Sequence, residues 1–311
     1  LLGGAVERER HTTELRLVRL ADIKRTQLGD DEGAAELYRQ ALVLDPSDED
    51  ARVGMTAMLE GSQAHAAAEA LWTAYEAADE WQQLLELATP RSEAEPDAIK
   101  RAQILADAAK LHEERANDDI QALAAIARAV PLAAQRRELR STLLRLAAKT
   151  GAWDVAVAAL EDAAKAMIGD DEAAAELRLV QANIAEKHLD DWDAALAAHQ
   201  AASQLTPDDP VQLAHVVRCA ANAGRWPAAG AAVVAHAAIV GRSDERLIHS
   251  IEGAAREAAA AVDEGTVDET TGTWANAAAG LVGAIDAARD SLAAPVASKL
   301  YSTAAAWYRD H

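Results

Sequence analysis

Two stretches of this chain are variants of one turn. Ala147–Ala156 reads AAKTGAWDVA and Ala220–Ala229 reads AANAGRWPAA, so Gly151 and Trp153 stand 73 residues before Gly224 and Trp226. A recurrence at fixed offset constrains the fold strongly, because it demands a unit that stacks on copies of itself. The tryptophan is then a repeated packing wedge rather than a site. Small or apolar positions in the first helix of each pair give the shorter rhythm: Ala21, Thr56, Ala109, Leu144, Ala182 and Val217, at steps of 35, 53, 35, 38 and 35. A further step of 36 reaches Gly253. A helix pair with its turns needs about this length.

A longer alignment supports the repeat. LRLVRLADIKRTQLGDDEGAAELYRQALVLDP (Leu15–Pro46) matches LRLVQANIAEKHLDDWDAALAAHQAASQLTP (Leu177–Pro207) with one residue deleted, read as an extra turn residue in the first copy. KLHEERANDDIQALAAIARAV (Lys110–Val130) matches the later copy at offset 73 without a gap. In these copies Gly29, Ala34, Tyr38, Ala41 and Pro46, and later Gly224, Trp226, Ala229 and Val233, carry a resemblance to the tetratricopeptide repeat family over roughly residues 10–262. The pattern departs from the family in lacking the aromatic of the first helix in most copies. The resemblance implies a right-handed α-solenoid of antiparallel helix pairs, here about fifteen helices, with a concave groove lined by first helices.

The physics of the sequence agrees with an all-α fold. Leu17, Leu20, Ile23 and Leu28 recur at helical spacing, and no alternating β-branched run suggests a strand. Alanine dominates the apolar half of the composition, aromatics make up 4% and Phe is absent. Such helices pack closely but bury little area per residue, which suits a thin core between stacked helices. Paired acids at Asp30/Asp31, Asp118/Asp119, Asp170/Asp171, Asp190/Asp191 and Asp208/Asp209 follow the repeat and read as N-caps rather than catalytic pairs. Asp209 precedes Pro210 at a first helical position, and Ser47 is a further cap candidate.

The expected organisation is a helical repeat over 1–262, a loop over 263–273 and closing helices over 274–311. The 53-residue step exceeds one repeat by about one helix. It predicts an irregular break over 61–96, with the chain exposed at Arg91–Glu95 between Pro90 and Pro96. Length alone suggests about two domains. Leu1 rather than Met begins the sequence, as in a processed product or a fragment, and a removed targeting segment stays open. A cytoplasmic location is the expectation.

The formal net charge of −21 argues against nucleic acid as the main partner, and no apolar run reaches the length of a membrane span. Cys219, the single cysteine, reads as a buried free thiol. LHEER (Leu111–Arg115) lacks the second histidine of a zinc peptidase helix, and DPSDED (Asp45–Asp50) lacks calcium-loop spacing. No phosphate loop, dinucleotide fingerprint or nucleophile elbow is present. The expectation is therefore no catalytic residue, no cofactor and no metal site. GLVG (Gly280–Gly283) reads as two glycines placed for close helix packing.

Function then falls to surfaces. One residue after each first-helix anchor stand Asp22, Ala57, Lys110, Arg145, Asn183, Arg218 and Ala254. Lys110 has Asp107, Glu113 and Glu114 within helical reach. Arg145 and Arg218 have no acid three or four residues away. Two readings follow. Acids on neighbouring helices pair with the arginines, or Arg145 and Arg218, aided by Lys110, Lys149 and Asn183, grip an acidic segment or C-terminal carboxylate of a protein or peptide partner. The competing functional classes are a helical arm of a larger enzyme or signalling protein, and a structural component of a large assembly.

Overall fold

The computed structural model describes residues 2–263 and 274–310, with side chains over 10–261 and 274–309. Among these residues there is no strand. The helices are α1 (Leu2–Ile23), α2 (Asp31–Leu44), α3 (Glu49–Thr56), α4 (Ala64–Ala77), α5 (Trp81–Ala94), α6 (Ala98–Leu111), α7 (Asp119–Ala129), α8 (Arg137–Thr150), α9 (Trp153–Ala166), α10 (Asp171–Ile184), α11 (Trp192–Leu205), α12 (Pro210–Asn222), α13 (Trp226–Val240), α14 (Glu245–Asp263), α15 (Trp274–Ala287) and α16 (Ala294–Asp310). The chain forms two compact units, Leu1–Val155 and Ala156–His311. In each, helices pack mostly on their neighbours in chain order, a consecutive arrangement compatible with a solenoid, and near the end of unit 2 α13 packs on α15 and α12 on α14. The loop expected over 263–273 lies, apart from Asp263, outside the described residues.

The pairing has one sequence rule. Counting from the first residue of α2, α4, α7, α9, α11 and α13, the fourth is alanine each time: Ala34, Ala67, Ala122, Ala156, Ala195 and Ala229, all 0% exposed. The eighth is larger and buried: Tyr38, Leu71, Ile126, Leu160, His199 and Val233. The eleventh is Ala41, Ala74, Ala129, Ala163 and Ala202, with His236 in α13, again buried. Positions four, eight and eleven share a helix face. Small residues at its ends let the neighbouring backbone approach, and the central side chain fills the gap between. In α5 the same positions hold Leu84, Ala88 and Arg91. This helix stands outside the pattern and lies within 61–96, where the sequence suggested an extra helix.

The chain at Arg91–Glu95 is not the exposed loop expected. Helix α5 runs through Pro90 to Ala94, and Ser92 and Glu95 are buried. Arg91 reaches back to α4, with Nε 2.6 Å from Glu69 Oε1 and its guanidinium 4.2 Å from the Trp72 ring centre. These contacts hold the last turn in place where Pro90 removes a backbone donor.

The acidic pairs cap helices as expected. Asp30, Asp118, Asp170, Asp191 and Asp209 each accept a hydrogen bond from a backbone N–H in the first turn. Asp48 rather than Ser47 caps α3. Three first helices, α1, α6 and α10, end in a wide π-type turn: Lys24–Leu28, His112–Ala116 and Ala185–Leu189. Each closes on a left-handed residue, Gly29, Asn117 or Asp190, followed by the capping aspartate. All three connections are two residues long, so the extra residue of the first copy lies in α1 and not in the turn.

The turn tryptophans Trp81, Trp153, Trp192 and Trp226 each open a helix, Trp81 that of α5. Only Trp226 is buried; the other three are half-buried. In unit 2, α13 and α15 meet almost backbone to backbone. A Cβ on Gly280 would lie 2.6 Å from the Trp226 carbonyl oxygen, and one on Gly230 would lie 2.6 Å from the Gly280 carbonyl oxygen. Gly283 has nothing within 4 Å, so only the first glycine of GLVG serves close packing. Gly280→Ala is expected to destabilise unit 2 by about 1–3 kcal/mol through overpacking. Gly283→Ala is expected to stabilise it by about 0.5–1 kcal/mol through helix propensity. Paired thermal melts check the opposite signs.

Candidate functional site

The basic residues expected to face a partner divide between the units. Lys110, Arg145 and Lys149 lie in unit 1, and Asn183 and Arg218 in unit 2. Neither arginine is free. Arg145 on α8 makes a two-pronged bond to Glu113 in the π-type turn after α6, at 2.5 and 2.7 Å. Lys149 holds Asp119 at 2.6 Å, and Lys110 is 3.9 Å from Glu114. Arg218 on α12 holds Glu186 in the π-type turn after α10, at 2.7 Å. Asn183 is exposed and lies on α10. The reading in which acids on neighbouring helices pair with the arginines is the one seen. Both arginines therefore already hold a carboxylate of this chain.

The two pairs are one repeated device: Glu113 and Arg145 recur as Glu186 and Arg218 at the 73-residue offset. Each arginine clamps the turn of the preceding first helix. The guanidinium of Arg145 holds the Glu113 carboxyl below the usual carboxylate range. Both arginines are partly exposed, and such pairs contribute about 0–1 kcal/mol each. Their role is to fix the turn rather than to supply much stability.

Around Glu186 the second copy adds chemistry that the first lacks. His199 Nε2 lies 2.9 Å from Glu186 Oε1, and Cys219 Sγ lies 3.3 Å from the same oxygen. Gln212 Nε2 is 2.9 Å from His199 Nδ1 and also donates to the His199 carbonyl at 3.0 Å. The imidazole proton therefore sits on Nε2 and is donated to Glu186. His215 stacks on His199 with ring centres 5.0 Å apart and planes within 5°. Arg218 rests 5.9 Å from the Trp192 ring centre. His199, Gln212 and Cys219 are buried, and the Glu186 side chain is 11% exposed.

Burial works to raise the Glu186 carboxyl, but hydrogen bonds from Arg218, His199 and Cys219 outweigh it and leave it low. Burial lowers His199, against the pull of Glu186, and favours neutral imidazole. Burial, with the bond to Glu186, pushes the Cys219 thiol up to about 12. The cluster is thus a carboxylate held by a cation, a neutral imidazole and an unionised thiol. It is no nucleophile, because the thiolate is absent and the sulfur is fully buried. Among the described residues, Glu186, His199 and Cys219 are the one group of three whose donor atoms converge as metal ligands could, all within 4.8 Å of one another.

The buried free thiol read from the sequence is what the structure contains. A thiol reagent at mildly alkaline pH is therefore expected to leave Cys219 unmodified in the native protein and to label it fully in denaturant. Labelling in native buffer at the rate of a free thiol would contradict this placement. The chain matches no known family model and no curated protein sequence.

Proposed function

We propose that this chain is a helical-repeat scaffold that holds a protein or peptide partner. The observation that carries the reading is a groove of about 490 Å³ in unit 1, between α2 and α4. Its lining is mostly apolar, with Leu42, Val43, Pro46, Ala70 and Ala74, and includes Arg39, His65 and Glu69. Val43 is 67% exposed there. An apolar lining with a few polar and charged groups suits an extended or helical segment whose side chains enter the groove. The resemblance to tetratricopeptide repeats points to the same class of work. The arginine clamps take part only as spacers that set the helix pairs.

The test is a variant that changes the groove and not the core. Val43→Glu with Thr73→Glu places two charges on exposed groove positions and should leave the melting temperature within the small range of surface changes. From a lysate of the source organism, the wild-type chain is expected to retain a partner that the double variant loses. A partner held equally by both would place binding elsewhere, and no partner held by either would reject the scaffold reading.

A further inference from the structure

The internal repeat supplies its own comparison for the buried cluster. Seventy-three residues before Glu186, His199 and Cys219 stand Glu113, Ile126 and Leu146. Ile126 and Leu146 are 1% and 0% exposed, and the earlier glutamate still pairs with its arginine. The eighth position of the other second helices is likewise filled by Tyr38, Leu71, Leu160 or Val233. Elsewhere these places hold hydrocarbon, except Tyr38, whose single hydroxyl donates to Asp22 on α1; among the described residues no other copy brings two such groups onto one carboxylate oxygen. An imidazole and a thiol, both turned onto one carboxylate oxygen, exceed what the fold requires.

We propose that Glu186, His199 and Cys219 form a binding site for a divalent transition-metal ion of the zinc class. One oxygen, one imidazole nitrogen and one sulfur are the donors zinc takes, whereas magnesium and calcium take oxygen. In a tetrahedral site these donors stand about 3.3–3.6 Å apart, from metal–ligand lengths of about 2.0–2.3 Å. The observed 2.9 Å and 3.3 Å separations from Glu186 Oε1 need to open by only a few tenths of an ångström.

The outer partners are also present. Arg218 holds the other carboxylate oxygen, and Gln212 holds the far nitrogen of His199. Binding proceeds with a simple balance. The His199 proton moves from Nε2 to Nδ1, and the Gln212 amide turns so that its oxygen accepts it, giving up the bond its nitrogen donates to the His199 carbonyl. The Cys219 thiol gives one proton to solvent, and the ion takes the Nε2 and sulfur electron pairs with one Glu186 oxygen. Three protein ligands leave a fourth position, which water fills. His215, stacked on His199, and Arg218, bound to Glu186, are both partly exposed.

Cobalt(II) titration of the metal-free chain tests the site. Cys219 is the only cysteine, so any thiolate-to-cobalt charge-transfer band reports this sulfur alone. The wild type is expected to show the band, saturating at one equivalent, and zinc should abolish it. Glu186→Gln should weaken cobalt binding by about 10-fold or more. His199→Ile with Cys219→Leu installs the earlier copy's residues. It should keep the helical spectrum and lose zinc binding by calorimetry. His199→Gln alone should cause a comparable loss while keeping an amide beside Glu186, and it stands in if the double variant fails to fold. No thiolate band in the wild type at saturating cobalt would overturn the proposal, and so would zinc affinity unchanged in the folded histidine variant.

Discussion

The fold depends on a methyl group. At the fourth position of six helices, α2, α4, α7, α9, α11 and α13, the chain places alanine with no exposed surface. A larger side chain there would hold the helices apart. Glycine would surrender packing and helix propensity together. With alanine at positions four and eleven and a larger residue at eight, five of these helices present a notch, a bulge and a notch, and α13 keeps the first notch with His236 at eleven. This spreads a thin core along the stack, and it explains how a chain with so few aromatics buries one. The same logic reaches its limit between α13 and α15, where even a methyl is too large: Gly230 lies against the Gly280 backbone and Gly280 against the Trp226 backbone.

On this frame the turns are set by polar devices. In three copies a wide turn ends the first helix, a left-handed residue reverses the chain, and an aspartate caps the next helix. In two copies an arginine from the following first helix ties the turn down through Glu113 or Glu186. None of these contributes much free energy alone. Their value lies in register, since a stack of near-identical alanine faces could otherwise slide by a turn. Polar groups at repeated positions specify one pairing among several that packing would tolerate.

Much of this was legible in the sequence because its causes are local. An aspartate capping an N–H two or three residues on, or Pro210 opening α12, involves neighbours in the chain. The fold class followed from helical periodicity and the repeat. The site was less legible. Arg145 and Arg218 show no acid within a helical turn because their partners lie 32 residues back. Laying the copies in register would have revealed them, since the glutamate and arginine recur together at offset 73. The same alignment would have set His199 and Cys219 against Ile126 and Leu146. Spacings of 13 and 33 residues from Glu186 match no local ligand motif, and only helix packing brings the three together. Pro90 misled in the opposite direction. It reads as a helix end, but Arg91 finds Glu69 and Trp72 on the preceding helix and carries α5 onward for another turn.

The alanine notch is the central claim, and thermal denaturation of single leucine substitutions tests it most directly. Ala122→Leu and Ala195→Leu fill notches in unit 1 and unit 2, while Ala124→Leu and Ala197→Leu place the same side chain on exposed positions of the same helices. The account predicts a loss of about 1–3 kcal/mol for each notch variant and changes within about 0.5 kcal/mol for the exposed pair. Notch variants as stable as their exposed counterparts would contradict it.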